Sequence, residues 1–263
     1  MAILNLIEKS VDCCFAFLPR KKPDKNILSE VRLIAHRGAH DKKLQLIENT
    51  DAAFQRALAL GCWGIELDIH ATADGVLVVN HDPTLRRLWG KDLAIRDLTF
   101  TALRKLVPTL PSLAEVIDRY GKRLHLFVEL KAPFTEEAAL ISTLRPLTPC
   151  IDYHLLSLNE PLFASCSKLP REVMLLVAAH NNVTQFCQLS LKRCYAGVLG
   201  HYLLLNNNKI KQLRSANQRV GVGLVDSKFG LYRELNRGLH WVFSDNVSLL
   251  RSCLQELETG NRG

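Results

Sequence analysis

The 263-residue chain has no uninterrupted apolar run near the ~20 residues that span a bilayer, which argues against a membrane-crossing helix. It has no Cys-x-x-Cys and no Cys/His zinc spacing; its eight cysteines (13, 14, 62, 150, 166, 187, 194 and 253) are scattered. The opening MAILNLIEKSVD carries acids and a lysine inside its apolar stretch and no positive segment before it, unlike a secretory signal. A soluble protein of the reducing cytoplasm is expected. One further absence is local. Between Val173 and Val225 there is no Asp or Glu, although the stretch holds Lys192, Arg193, Lys209, Lys211, Arg214 and Arg219. Within a net charge of +8, a solvated basic face is the favoured reading, with phosphate-bearing metabolites or lipid headgroups as the partners such charge attracts. No nucleic-acid reader motif is present, so nucleic acid is not expected as a partner.

What is present is ordinary in bulk and informative in order. Apolar residues at 48% and charged residues at 23% exclude disorder and fibrous repeats. The length suits two ordinary domains or one (β/α)8 barrel of about 250 residues. No linker or repeat divides the chain after residue 30. Short β-branched or leucine-rich runs at 31–36, 64–70, 124–130, 152–158, 172–178, 196–204, 220–225 and 241–245 alternate with helical patterns. Caps mark the helices: Asn49 and Thr50, the Ser112/Glu115 capping box, Asn159 and Asn246. Eight β/α units predict an α/β fold, a single-domain TIM barrel over 31–258 with a short tail at 259–263; an open doubly wound sheet is the alternative. Residues 76–82 predict an extra short strand in the excursion after the second barrel strand.

The first eighteen residues form an amphipathic pattern, with Ile3, Ile7, Val11, Cys14 and Leu18 on one stripe, followed by the basic connection RKKPDK. Packing on the barrel floor or flank is favoured for this 1–30 segment. A peripheral membrane contact through residues 1–25 is the alternative.

Strand alternation identifies the chemistry. In the second barrel strand Ile65, Leu67 and Ile69 share one face, and Glu66 and Asp68 the other. In the third, Leu126, Val128 and Leu130 point outward while Phe127, Glu129 and Lys131 point inward. Three carboxylates converging in a low-dielectric mouth repel unless a cation neutralises them, and oxygen ligands suit Mg2+ or Ca2+. His36 and Arg37 end the first strand, and His81 follows the short extra one. Two imidazoles beside a cation site are parts for phosphoryl chemistry. His125 reads as a packed core residue, and Asp82 as a cap of its own Asp-Pro turn in preference to a partner of His81. Asp226 and Asp245, at strand ends, could touch a substrate alcohol or cap helices.

Taken together, IAHRGA (34–39), the run from Ile47 to Asp82 and FVELK (127–131) resemble the glycerophosphodiester phosphodiesterase family of TIM barrels. The set is His-Arg-Gly, Glu-Asn-Thr, Glu-x-Asp, Asp-Gly, His-Asp and Glu-x-Lys. The resemblance implies Glu66, Asp68 and Glu129 as ligands of one divalent cation, Mg2+ or Ca2+. It implies His36 and His81 as the acid/base pair and Arg37 and Lys131 as phosphate contacts. Glu48 would lie near the site, with a capping or supporting role as the alternative. The implied activity is metal-dependent hydrolysis of small-molecule glycerophosphodiesters to sn-glycerol 3-phosphate and an alcohol. In the family's route a neighbouring substrate hydroxyl attacks first. Lysophospholipase D or sphingomyelinase D-like activity on lipids is the rival enzyme reading, and a catalytically silent barrel that binds phosphorylated ligands the rival of another class. Ile47 stands where the family commonly has Pro, and the likeness fades beyond residue 132. Residues 103–116 run straight into the next helix, which predicts a shortened insertion after the second barrel strand.

Overall fold

Alternating strands and helices close into a ring, as the pattern of apolar runs predicts. The computed structural model describes residues 16–179 and 182–259. Among the described residues nine strands form one sheet. They are β1 (Arg32–Ala35), β2 (Gly64–Ala71), β3 (Leu77–Val79), β4 (His125–Leu130), β5 (Tyr153–Ser157), β6 (Met174–Ala178), β7 (Gly197–His201), β8 (Arg219–Gly223) and β9 (Trp241–Ser244). β1 pairs in parallel with both β2 and β9, so the barrel of all strands except β3 has no open edge. β3 is the expected extra strand and lies antiparallel on β2, with Val79 opposite Ile69.

The helices are α1 (Asp51–Ala59), α2 (Arg86–Trp89), α3 (Phe100–Leu106), α4 (Leu113–Tyr120), α5 (Glu137–Leu144), α6 (Glu160–Ser165), α7 (Val183–Arg193), α8 (Asn207–Ser215), α9 (Lys228–Asn236) and α10 (Val247–Thr259). Thr50 caps α1 by accepting from the Ala53 N–H, and Ser112 and Glu115 form the reciprocal box that starts α4. Asn159 departs from expectation. It occupies the cap position of α6, but its side chain makes no capping bond; its N–H donates instead to the Ser157 hydroxyl at 3.0 Å. Pro161 in the first turn suits a helix start without that bond.

The outward faces of the strands, such as Ile65, Leu67, Ile69, Leu126 and Val128, join the helix layer in the main core. Inside the barrel a second cluster of Ile34, Phe127, Leu156, Leu175, Leu199 and Phe243 fills the middle level. Each such side chain stabilises by about 1.5–3 kcal/mol when buried. Beneath them Trp63 stacks on His125 with ring centroids 4.4 Å apart. His125 Nδ1 donates to the Ile151 carbonyl at 2.8 Å, and its Nε2 accepts from His154 Nδ1 at 2.8 Å. His125 is thus the packed core residue expected, and His154, for which the sequence suggests no partner, completes the pair.

Between β2 and β4 the chain makes a compact excursion with its own small core of Val78, Leu85, Ile95, Leu103, Val107 and Leu110. The helix expected over the first eighteen residues lies outside the described residues except for its last three, of which Phe17 and Leu18 are exposed. The basic connection that follows is tied down where Asn236 Nδ2 donates to the Lys21 carbonyl at 2.8 Å. No helix among the described residues is long and apolar enough to cross a membrane.

Candidate active site

β2 and β4 lie side by side with Asp68 opposite Glu129, so the inward alternation of both strands delivers their acids to one point. Oxygens of Glu66, Asp68 and Glu129 fall within 4.8 Å of one another, and all three residues are buried. Lys131 supplies local positive charge, its Nζ 2.8 Å from Asp68 and also bonded to Glu129. The Arg37 backbone N–H donates to Glu66 Oε2 at 3.0 Å, and Asn49 Nδ2 donates to Asp68 Oδ2 at 2.8 Å. Glu66 Oε1 is buried without a hydrogen-bond partner. Burial, with the charge of Asp68, pushes the Glu66 and Glu129 carboxyls up. Burial acts on Asp68 in the same direction, but Lys131 and Arg37 outweigh it and hold that carboxyl low.

Two imidazoles flank the acids, each tethered to an aspartate. His36 Nδ1 sits 2.6 Å from Asp245 Oδ1, and His40 Nε2 lies 3.3 Å from the same oxygen. His36 Nε2 points to Glu66 at 3.8 Å. Burial disfavours charge on His36, yet Glu66 and Asp245 prevail and raise it to about 9. Across the site His81 Nδ1 is 2.8 Å from Asp82 Oδ1. Burial, aided by Lys131 and Arg37, lowers His81 despite the pull of Asp68 and Asp82. One sequence reading is corrected here: Asp82 pairs with His81, which the turn reading had disfavoured. Asp245 pairs with His36, a contact the strand-end reading did not include. Asp226 accepts from the Ser244 hydroxyl and from the Asp245 and Asn246 N–H groups, while Ser227 caps the helix that follows it.

The turn after β1 is sharp. Arg37 and Gly38 both have positive φ, 54° and 78°, and a Cβ on Gly38 would lie 2.9 Å from the Ala53 and Phe54 side chains. That turn aims Arg37 across the mouth, where its Nη1 donates to Glu48 Oε1 at 3.0 Å and its Nε lies 3.4 Å from Asp68. Arg87 of α2 donates to the same Glu48 oxygen at 2.7 Å and also to Asp82. A continuous string of ion pairs thus runs from Asp68 through Arg37, Glu48, Arg87 and Asp82 to His81. Glu48 supports Arg37 and lies outside the acid cluster. Arg87 and Asn49 escaped the sequence reading as site residues. Asn49 carried a signal, since it is the middle residue of Glu-Asn-Thr; Arg87 carried none.

His36, Arg37, Glu66, His81, Glu129 and Lys131 line one side of a cavity of about 290 Å3 at the C-terminal mouth of the barrel. Its other side is built from His201 and otherwise apolar and small residues of β5 to β9 and the turns that follow them.

A barrel mouth with three buried carboxylates, two aspartate-held imidazoles and an arginine–lysine pair has the make-up of a phosphodiester-cleaving barrel. Residues 36–146 match the Glycerophosphoryl diester phosphodiesterase family. The glycerophosphodiester phosphodiesterase of Bacillus subtilis is 26% identical over 264 residues, covering 85% of this chain and 87% of the relative. That of Caldanaerobacter subterraneus is 39% identical over 112 residues, 38% of this chain and 45% of the relative's length. The crystal structure of the Thermotoga maritima glycerophosphodiester phosphodiesterase aligns with a TM-score of 0.70 at 25% identity, covering 84% of this chain and 97% of that one. Residues 36–146 thus carry the match to the glycerophosphodiester phosphodiesterase family, and the barrel as a whole has the fold of a solved member.

Proposed function

We propose that this chain hydrolyses glycerophosphodiesters to sn-glycerol 3-phosphate and an alcohol, with Glu66, Asp68 and Glu129 holding one divalent cation, Mg2+ or Ca2+. The supporting observation is a charge imbalance at the mouth. Six carboxylates (Glu48, Glu66, Asp68, Asp82, Glu129 and Asp245) face three permanent cations, Arg37, Arg87 and Lys131. An oxygen-only donor set in which Glu66 Oε1 is buried with neither a hydrogen bond nor an ion pair fits a hard cation. When bound, such an ion draws charge from a phosphoryl oxygen and eases attack at phosphorus.

On this reading Arg37 and Lys131 hold the remaining phosphate charge, and Glu48 and Arg87 fix the Arg37 guanidinium. Asp245 and Asp82 occupy the Nδ1 atoms of His36 and His81, leaving each Nε2 to move a proton. One takes it from the attacking hydroxyl and the other gives it to the departing alkoxide, help that typically contributes about 10²–10⁴-fold. The setting on this reading is the cytoplasm, with a peripheral membrane contact through residues 1–25 as the alternative to packing of that segment. The test is an assay of glycerophosphocholine and glycerophosphoethanolamine with Mg2+ or Ca2+ supplied. Release of sn-glycerol 3-phosphate is expected. Turnover of neither would overturn the activity and favour a silent barrel.

A further inference from the structure

The end of the barrel remote from the mouth carries the opposite imbalance of charge. Arg32, Arg219 and Trp241 are the first residues of β1, β8 and β9, so strand order gathers them on the barrel floor, with Arg32 opposite Trp241. Arg214 joins them from the last turn of α8, and His240 from the position before β9. Together they line a pocket of about 370 Å3. Among the described residues none of the three guanidiniums is ion-paired with a carboxylate. Glu30 is the one acid on the pocket wall, and it is taken by His240 Nδ1 at 2.9 Å.

Local structure explains how these arginines are held but not why they stand unneutralised. Arg32 Nη1 donates to the Ser29 carbonyl at 3.1 Å, and its guanidinium lies 5.6 Å from the centroid of the Trp63 ring. Arg219 lies over Trp241 in the same way, at 5.8 Å. Arg214 Nη2 donates to the Gly238 carbonyl at 2.5 Å. Gly238 has φ of 76°, and a Cβ there would come within 3.2 Å of Arg214 Nη1, so a glycine lets the guanidinium lie against the chain. Gln218 fastens the approach to β8 by donating to the Ser190 and Tyr195 carbonyls. Carbonyl oxygens and ring faces orient a guanidinium without cancelling its charge. Arg214 alone would be accounted for as a cation at a helix C-terminus. Arg32 and Arg219 begin strands and have no helix of their own to complement.

The chemistry of the wall narrows the occupant. Guanidinium forks present paired N–H donors that match the oxygens of a phosphate. Three permanent charges around one recess suit a dianion better than a single carboxylate. The Trp241 ring is already engaged by Arg219 and by the interior rings of Phe127 and His154, so no face is set aside for a nucleobase. Burial lowers His240 despite Glu30, with Arg214 and Arg32 adding to the effect. Its Nε2 is buried with no hydrogen-bond partner among the described residues.

We propose that this floor pocket is an anion site, separate from the catalytic mouth, in which Arg32, Arg214 and Arg219 hold a phosphate monoester dianion. The ester is a soluble one or the terminal phosphate of a lipid headgroup; both present the same group to the arginines. The site stands independently of the chemistry at the mouth.

Calorimetric titration of the full chain with inorganic phosphate and with sn-glycerol 3-phosphate, under chelator and in about 0.15 M salt, tests it. Binding survives Arg37→Ala, which disables phosphate capture at the mouth. Arg214→Glu and Arg219→Glu, at exposed positions, each weaken it by at least about tenfold. Two floor variants are used so that a folding failure in one leaves the other decisive. Phosphatidylcholine vesicles with and without phosphatidic acid separate the sources. Capture by the phosphatidic acid vesicles that both floor variants lose, and that sn-glycerol 3-phosphate competes away, supports the site with a lipid headgroup as its ligand. Phosphate binding without such capture supports it with a soluble ester. Binding that a folded floor variant leaves unchanged overturns the site, and so does the failure of every probe to bind at that salt.

Discussion

Asp245 Oδ1 lies 2.6 Å from His36 Nδ1 across the seam where the last barrel strand meets the first. The contact joins residues 209 positions apart and dictates which ring nitrogen of His36 faces the acids. Asp245 has the 40% side-chain exposure of a group that contributes little to folding. Asp245→Asn should therefore lower kcat by about tenfold to a hundredfold with KM and thermal midpoint nearly unchanged. The loss should be smaller than that of His36→Ala. A variant with normal kcat would show that His36 needs no orienting partner.

The acid cluster should make activity depend on a divalent ion. Exhaustive chelation should abolish turnover, and added Mg2+ or Ca2+ should restore it. Glu66→Gln and Asp68→Asn should weaken ion binding, read by calorimetry on the protein alone, together with activity. Undiminished turnover after chelation would assign the acids another purpose.

The two histidines are distinguishable by leaving group. His36→Ala and His81→Ala should each cost at least about a hundredfold in turnover, with strong non-additivity because both serve one proton path. A nitrophenyl diester, whose leaving group needs no proton, should rescue only the variant lacking the acid. Rescue of both or of neither would mean that the roles are not divided between these rings.

How much of this was visible beforehand depends on the range of each interaction. Barrel strands advertise themselves through short apolar runs, and a period of two fixed which residues of β2 and β4 face inward. Glu66, Asp68 and Glu129 were therefore legible before any contact was known. Asp245 was not, because its role exists only once the barrel closes. Arg87 reaches Glu48 by the packing of the excursion against the β1–α1 turn, which no local pattern encodes. Asp82 was misread for an instructive reason: Asp-Pro is a strong turn signal, but the turn leaves the carboxylate free to take both His81 and Arg87.

The barrel floor carries a pH dependence of stability. Burial lowers His125 to about 4 and His154 to about 3. The unfolded chain, with histidines near 6.5, binds more protons than the folded one at any pH between these values. Stability is thus full above about pH 6.5 and falls as the pH drops toward 4, by up to about 1.4 kcal/mol per unit for each ring. Denaturant unfolding from pH 6.5 to 5 should show this decline, and His154→Phe should flatten it. An identical slope in that variant would show that the buried pair does not set the dependence.

The groups proposed to hold the cation and move the proton fall between residues 36 and 131, while the largely apolar wall opposite them begins at β5. On the proposed reading, cleavage chemistry and substrate admission draw on consecutive portions of the chain, joined through the barrel and through the Asp245–His36 contact. Transplanting the turns that follow β5 to β8 from a relative with a different diet should change what the enzyme accepts while leaving its cleavage step intact. Selection could act on the two portions separately, which makes this scaffold easy to retune and slow to lose its chemistry.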